Sequence, residues 1–156
     1  MATSARDKLR KPQEPKIEIL PKGIPASWGS PGDRMVISTP AEVDALIRAI
    51  PKGKLATTNT LRDVLAKRHK ADLACPMTTG IFAGISAKAA TEEEEMGAKR
   101  VAPWWRVIKA DGKLNEKFPG GVAEHKRRLT AEGFSFEPSG KNWRVAGWDG
   151  KLARLS

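Results

Sequence analysis

The sequence predicts a mainly α domain with a small β component, and three observations predict it. Helix-start signals precede apolar spacing at Thr39-Pro40, at Thr57-Thr58 and at Pro76. Strand-like alternation is concentrated in the last third of the chain. A length of 156 residues with a hydrophobic fraction of 40% suits one core of ordinary size. The expected organisation is a basic arm over residues 1–34, a domain over 35–136 and a β-hairpin extension over 137–156.

Residues 1–34 hold five of the eleven prolines and a scatter of Lys and Arg with little periodicity, so an extended, partly disordered arm is expected, with Ile17, Ile19 and Leu20 available to pack on the domain. Met35-Val36-Ile37 leads into Thr39-Pro40-Ala41-Glu42, which combines an N-cap threonine, proline at the first helical position and glutamate at the third. That helix carries Val43, Leu46, Ile47 and Ile50 at core spacing and stops at Pro51-Lys52-Gly53. Thr57 or Thr58 caps a second helix with Leu61, Val64 and Leu65, ending at Lys67-Arg68-His69-Lys70. A loop is expected over residues 71–75. Pro76 opens a third helix, with Ile81, Phe82, Ile85 and Ala89 on one side and Thr79, Gly80, Ala83, Gly84 and Ala87 on a side with almost no bulk. Glu92 to Glu95 close this region as a solvated face, since consecutive carboxylates point in different directions and do not converge on one ion. Trp104 and Trp105 are placed on a strand, followed by a turn at Asp111-Gly112, a helix over 122–132, and the hairpin around Ser139-Gly140-Lys141-Asn142.

The net charge of +10 and a pI near 10.0 make a polyanion the first partner to consider, nucleic acid ahead of a membrane surface. No apolar run is long enough to cross a bilayer and no signal peptide is evident, so a cytoplasmic protein is expected, at the nucleoid in a bacterium or archaeon. One cysteine and two histidines cannot close a zinc site, and no cofactor or metal is expected. A short-looped helix pair fits a helix-turn-helix whose third helix enters a groove; the small residues at 80 and 84 fit tight packing against another helix equally well.

The ordered set Pro103-Trp104-Trp105-Arg106-Val107, Asp111-Gly112, Gly120-Gly121 and Glu132-Gly133 resembles the active-site region of the O6-alkylguanine-DNA alkyltransferases, where the stretch reads Pro-Cys-His-Arg-Val, then an Asp-Gly turn, Gly-Gly, a helix and Glu-Gly. The resemblance runs from about Thr39 to Gly133. Trp104 stands at the acceptor cysteine, as in the alkyltransferase-like branch, which binds alkylated guanine without repairing it. Trp105 stands at the histidine, Glu132 matches the orienting glutamate and Arg106 the loop arginine. Aligned from Pro76, Gly80 falls where the family has its intercalating arginine, and Thr58 near its tyrosine.

The resemblance implies a winged helix-turn-helix-like DNA-binding domain and selects the groove reading for the third helix. It implies no catalytic residue, a base pocket of Trp104, Trp105, Arg106 and Phe118, with Trp104 stacking on a base and Trp105 packing, and duplex DNA, alkylated or not, as partner, with a downstream repair protein. The DNA contacts expected are Thr58, Thr79, Gly80, Ala83 and Gly84, with Lys67, Arg68, Lys109 and Lys113 on phosphates. A monomer is expected. Two other readings stay open: a general DNA binder without lesion preference, and an enzyme using Cys75, whose place at a helix N-terminus favours a thiolate.

Overall fold

The computed structural model describes residues 4–156. The chain runs α1 (Ala5–Arg10), β1 (Lys16–Ile19), β2 (Arg34–Ile37), α2 (Pro40–Arg48), β3 (Ala56–Thr57), α3 (Thr58–Arg68), β4 (Leu73–Ala74), α4 (Pro76–Glu95), β5 (Val107–Ile108), α5 (Gly121–Ala131), β6 (Phe136–Ser139) and β7 (Asn142–Val145), with 3-10 turns at Trp104–Arg106 and Trp148–Lys151. It is a mainly helical structure with three small sheets, as expected. The start signals act as read: Thr39 Oγ1 accepts from the Glu42 N–H at 3.2 Å, and Pro40 and Pro76 each open a helix. Thr57, rather than Thr58, caps α3, in a reciprocal arrangement with Thr60.

Two pairings too short to leave a pattern in the sequence set the geometry of the helices. β4 pairs in parallel with β2, through Met35 opposite Leu73 and Val36 opposite Ala74, and the Cys75 N–H donates to the Val36 carbonyl at 2.9 Å, which anchors the start of α4. The expected loop over 71–75 is therefore partly strand. β3 pairs in parallel with β5, Ala56 opposite Val107 and Thr57 opposite Ile108, so the start of α3 lies beside the segment that follows the tryptophan pair.

Three further departures concern the ends and the middle. The segment read as an extended arm contains α1, whose Ala5 and Arg6 N–H groups donate to the Glu92 carboxylate at 3.0 Å each, and β1, which pairs antiparallel with β2. A carboxylate at a helix N-terminus supplies the acceptors the first turn lacks, and this holds α1 on α4. Trp104 and Trp105 form a 3-10 turn, not a strand. The hairpin β6–β7 is no loose appendage: Val145, Phe134 and half-buried Trp143 join Leu55, Ile108, Leu114 and Leu129 in a second apolar cluster.

The main cluster gathers Val43, Leu46 and Ile47 of α2, Leu61 and Leu65 of α3, Ala83 and Ala87 of α4, and Trp104. Trp104 is 0% exposed and stands edge-on to Phe118 at 5.4 Å and to Trp105 at 5.8 Å between ring centres. Trp104→Ala is expected to lower the unfolding free energy by roughly 3–5 kcal/mol through the cavity it leaves, measured as a shift in the urea midpoint at unchanged slope.

Candidate nucleic-acid interface

A cleft of about 980 Å³ opens between the first half of α4 and the loop over residues 109–118. Its helix side is lined by Pro76, Met77, Gly80, Ile81, Gly84, Ile85 and Lys88, its loop side by residues 109–111 and 115–118, and Thr58 and Lys8 reach it from α3 and α1. Positions 77, 80, 81, 84, 85 and 88 follow helical spacing and form one face. Thr79 and Ala83 do not belong to it: both are buried, and the Thr79 hydroxyl donates back to the Cys75 carbonyl at 2.7 Å. The five small positions assigned to one side thus divide, Gly80 and Gly84 facing the cleft and Thr79, Ala83 and Ala87 facing the core. Ile81 and Ile85, placed with Phe82 and Ala89 on the other, bulkier side, also face the cleft, while Ala89 is buried.

The loop wall is held from behind. Gly112, at φ +85°, lets the chain turn under Trp148, where any Cβ would lie 2.2 Å from the indole. The hairpin braces the same loop, with Val145 N–H donating to the Gly112 carbonyl at 3.0 Å, Leu114 N–H to the Trp143 carbonyl at 3.0 Å and Asn142 Nδ2 to the Leu114 carbonyl at 2.9 Å. Buried His125 ties the loop to α5: its Nδ1 accepts from Asn115 N–H at 3.1 Å and its Nε2 donates to the Trp105 carbonyl at 2.8 Å. Burial holds this imidazole's pKa down at about 4, opposed by the bond to Trp105, so it is neutral at physiological pH.

Of the four residues expected to line a base pocket, only Phe118 reaches the cleft. Trp104 is enclosed, so it offers no stacking face to a ligand. Trp105 Nε1 donates to Glu132 at 2.5 Å, and Arg106 pairs with the same carboxylate through Nε and Nη2 at 3.0–3.1 Å while its Nη1 donates to the Ile50 carbonyl at 2.6 Å. Gly53 N–H adds a longer bond at 3.4 Å. Burial raises the Glu132 pKa, but Arg106 and Trp105 together outweigh it and hold the carboxyl below its ordinary range. Arg128, paired with Glu94 and Glu124, lies over both indoles at 5.4 and 4.9 Å from the ring centres.

The expected phosphate contacts also divide. Lys109 lines the cleft, paired with Glu116 at 3.0 Å, and Lys113 sits 3.6 Å from Asp111 behind it. Lys67 and Arg68 lie at the far end of α3, about 15 Å along the helix from Thr58. Arg68 is engaged there with Glu42 and the Ser156 carbonyl. Lys8, Met77 and Lys117 line the cleft without having been expected there; nothing in the local pattern of α1 or of the 115–118 loop marks the two lysines, whereas Met77 shares the helical spacing of Gly80, Ile81 and Gly84. Cys75 is buried against Leu20 and Met35, outside the cleft lining.

Among solved structures, the chain is similar to S. pombe ATL in complex with DNA, with a TM-score of 0.52 and 16% identity over 74% of this chain and 94% of that one. It is also similar to S. pombe Atl1 in complex with damaged DNA containing O6-carboxymethylguanine, with a TM-score of 0.51 and 17% identity over the same shares. The fold is that of the alkyltransferase-like proteins. No family model and no curated protein matches the chain. The likeness therefore lies in shape, and the motif from Pro103 to Gly133 falls in this fold on a turn, a loop and a helix, of which only loop residues 109–111 and 115–118 line the cleft.

Glu132→Gln leaves the Arg106 guanidinium part-buried without its counter-charge, and a loss of about 3 kcal/mol is expected in denaturant unfolding. His125 gives a pH signature. Below pH 6.5 the unfolded chain takes up a proton that the native imidazole refuses until pH falls to about 4. Native stability is therefore complete above 6.5 and falls toward pH 4, by an amount on the order of 3 kcal/mol. Unfolding free energies between pH 7 and 4.5 should show this slope in the native protein and its flattening in His125→Gln.

Proposed function

We propose that this protein binds duplex DNA without catalysis, recognises alkylated guanine in it and marks the lesion for repair by other machinery. The observation that carries this reading is the cleft itself: a concavity at the upper end of the size range of ligand sites, walled by an exposed helix face and a braced loop, in the fold of a protein solved with O6-carboxymethylguanine DNA. A net charge of +10 supplies the attraction for phosphates, and Lys8, Lys88, Lys109 and Lys117 put four cations on the cleft lining against the two carboxylates of Asp111 and Glu116.

The motif position that holds a nucleophile in the alkyltransferases is an enclosed indole, and the position of the proton acceptor is a second indole whose N–H can donate but cannot take up a proton. Neither can perform alkyl transfer. The one thiol, Cys75, is closed to solvent and does not line the cleft, which removes the geometric support for a relocated acceptor.

The test is a titration at fixed salt against matched duplexes with and without a single O6-methylguanine, followed by the mass of the protein. Tighter binding to the alkylated duplex with unchanged mass is expected. Equal affinity would leave general DNA binding, and a gain of one methyl group would restore an enzyme and point to Cys75. Lys88→Ala is expected to weaken both duplexes alike and to lower the slope of log K against log salt by about 1.

A further inference from the structure

Of the large apolar side chains exposed among the described residues, Ile17, Ile19, Met77, Ile81 and Met96, two lie together in the cleft: Met77 and Ile81, 60% and 54% exposed and one turn apart on α4. A single exposed apolar side chain is ordinary, but two together on one face form a patch, and the core face of α4 is closed to them, filled with Thr79, Ala83, Ser86, Ala87 and Ala90 against α1 and α2. The two residues also project from low ground. Gly80 and Gly84 alternate with them on the same face, and no atom lies within 4 Å of where either glycine's Cβ would be. The face is thus an apolar ridge beside two bare stretches of backbone, rimmed by Lys8 and Lys88.

Resting on the reading of the cleft as a DNA site, we propose that Ile81, flanked by Met77, is the side chain that enters the base stack and fills the gap left by an extruded nucleotide. Apolar wedges of this kind part base steps, and the energy they return comes from dehydrating an already exposed hydrocarbon surface against the base faces. The glycines let the groove walls close on the helix backbone, which a side chain at either position would prevent. The lysine rim selects the occupant: a polyanion with apolar base faces satisfies both the cations and the ridge, whereas a second copy of this chain, itself at +10, would be repelled.

The experiment uses the full chain and a duplex carrying 2-aminopurine beside a single O6-methylguanine, so that unstacking is read as fluorescence at saturating protein. Native protein and Ile81→Met are expected to raise the fluorescence. Ile81→Ala and Ile81→Ser are expected to abolish the rise and weaken binding by about tenfold, with the salt slope unchanged because no phosphate contact is lost. The residue is exposed, so unchanged thermal midpoints of the variants show that folding is intact. A rise that persists in Ile81→Ala, or native binding with no rise, overturns the wedge while leaving DNA binding in place. A dimer in sedimentation that Ile81→Ala dissolves, with DNA affinity untouched, overturns it in favour of self-association. Failure of the native protein to bind any duplex strikes the functional reading itself and is seen before any variant is made.

Discussion

The Glu132 carboxylate is the point on which the geometry of the site depends. It gathers the Trp105 indole N–H, two donors of Arg106 and the Gly53 N–H, and Arg106 spends its remaining fork on the Ile50 carbonyl. One anion thereby joins the end of α5, the tryptophan turn and the turn between α2 and β3. A half-desolvated carboxylate is costly unless its lone pairs are filled and its charge is opposed, and both conditions are met here, the second by Arg106. From this joint the β3–β5 pairing carries the alignment to the start of α3, and His125 carries it from the Trp105 carbonyl to Asn115 on the cleft wall. Trp105 occupies a donor's place in this network. A histidine there could both give and take a proton; an indole can only give one, so the carboxylate keeps its positioning task while a relay through it is chemically impossible.

The parts of the fold that were legible in the sequence are those with local causes. Thr39-Pro40, Thr57 and Pro76 start helices because a side-chain acceptor or a preset φ solves the problem of the first turn, and neighbours only a few residues away supply the partners. The β4 and β5 strands were illegible because two residues show no alternation and their partners lie 38 and 51 positions away in sequence, as with Met35 opposite Leu73 and Ala56 opposite Val107. α1 was lost in a basic, proline-rich stretch because its fixing contact, Glu92, is 87 positions away from Ala5 in sequence.

The faces of α4 show a subtler limit. Bulk normally marks the buried side of a helix, yet Ile81 and Ile85, on the bulky side, line the cleft. In the structure, close approach of α1 and α2 demands small residues on the buried side, including Ser86, whose hydroxyl donates to Asp44 at 2.6 Å. The two meanings of smallness, tight helix packing and an open groove face, are both present on one helix: Ala83 and Ala87 serve the first, Gly80 and Gly84 the second. Spacing resolves them only when read from Met77, which puts 77, 80, 81, 84, 85 and 88 on one stripe.

Charge placement completes the logic. Four consecutive glutamates at the end of α4 would set a negative field against DNA if they stood free, yet Glu92 caps α1, Glu93 faces Arg48 at 3.8 Å and Glu94 pairs with Arg128 at 2.7 Å. The charges of these three are opposed within the domain, by groups that also lock α1, α2 and α5 onto α4. The ridge at Met77 and Ile81 lies about 16 Å or more along the axis of this 20-residue helix from the glutamates, beyond the Debye length of about 8 Å at physiological salt, while the cleft lining continues along the helix to Lys88. The helix therefore separates an acidic end that builds the domain from an exposed apolar ridge at its start.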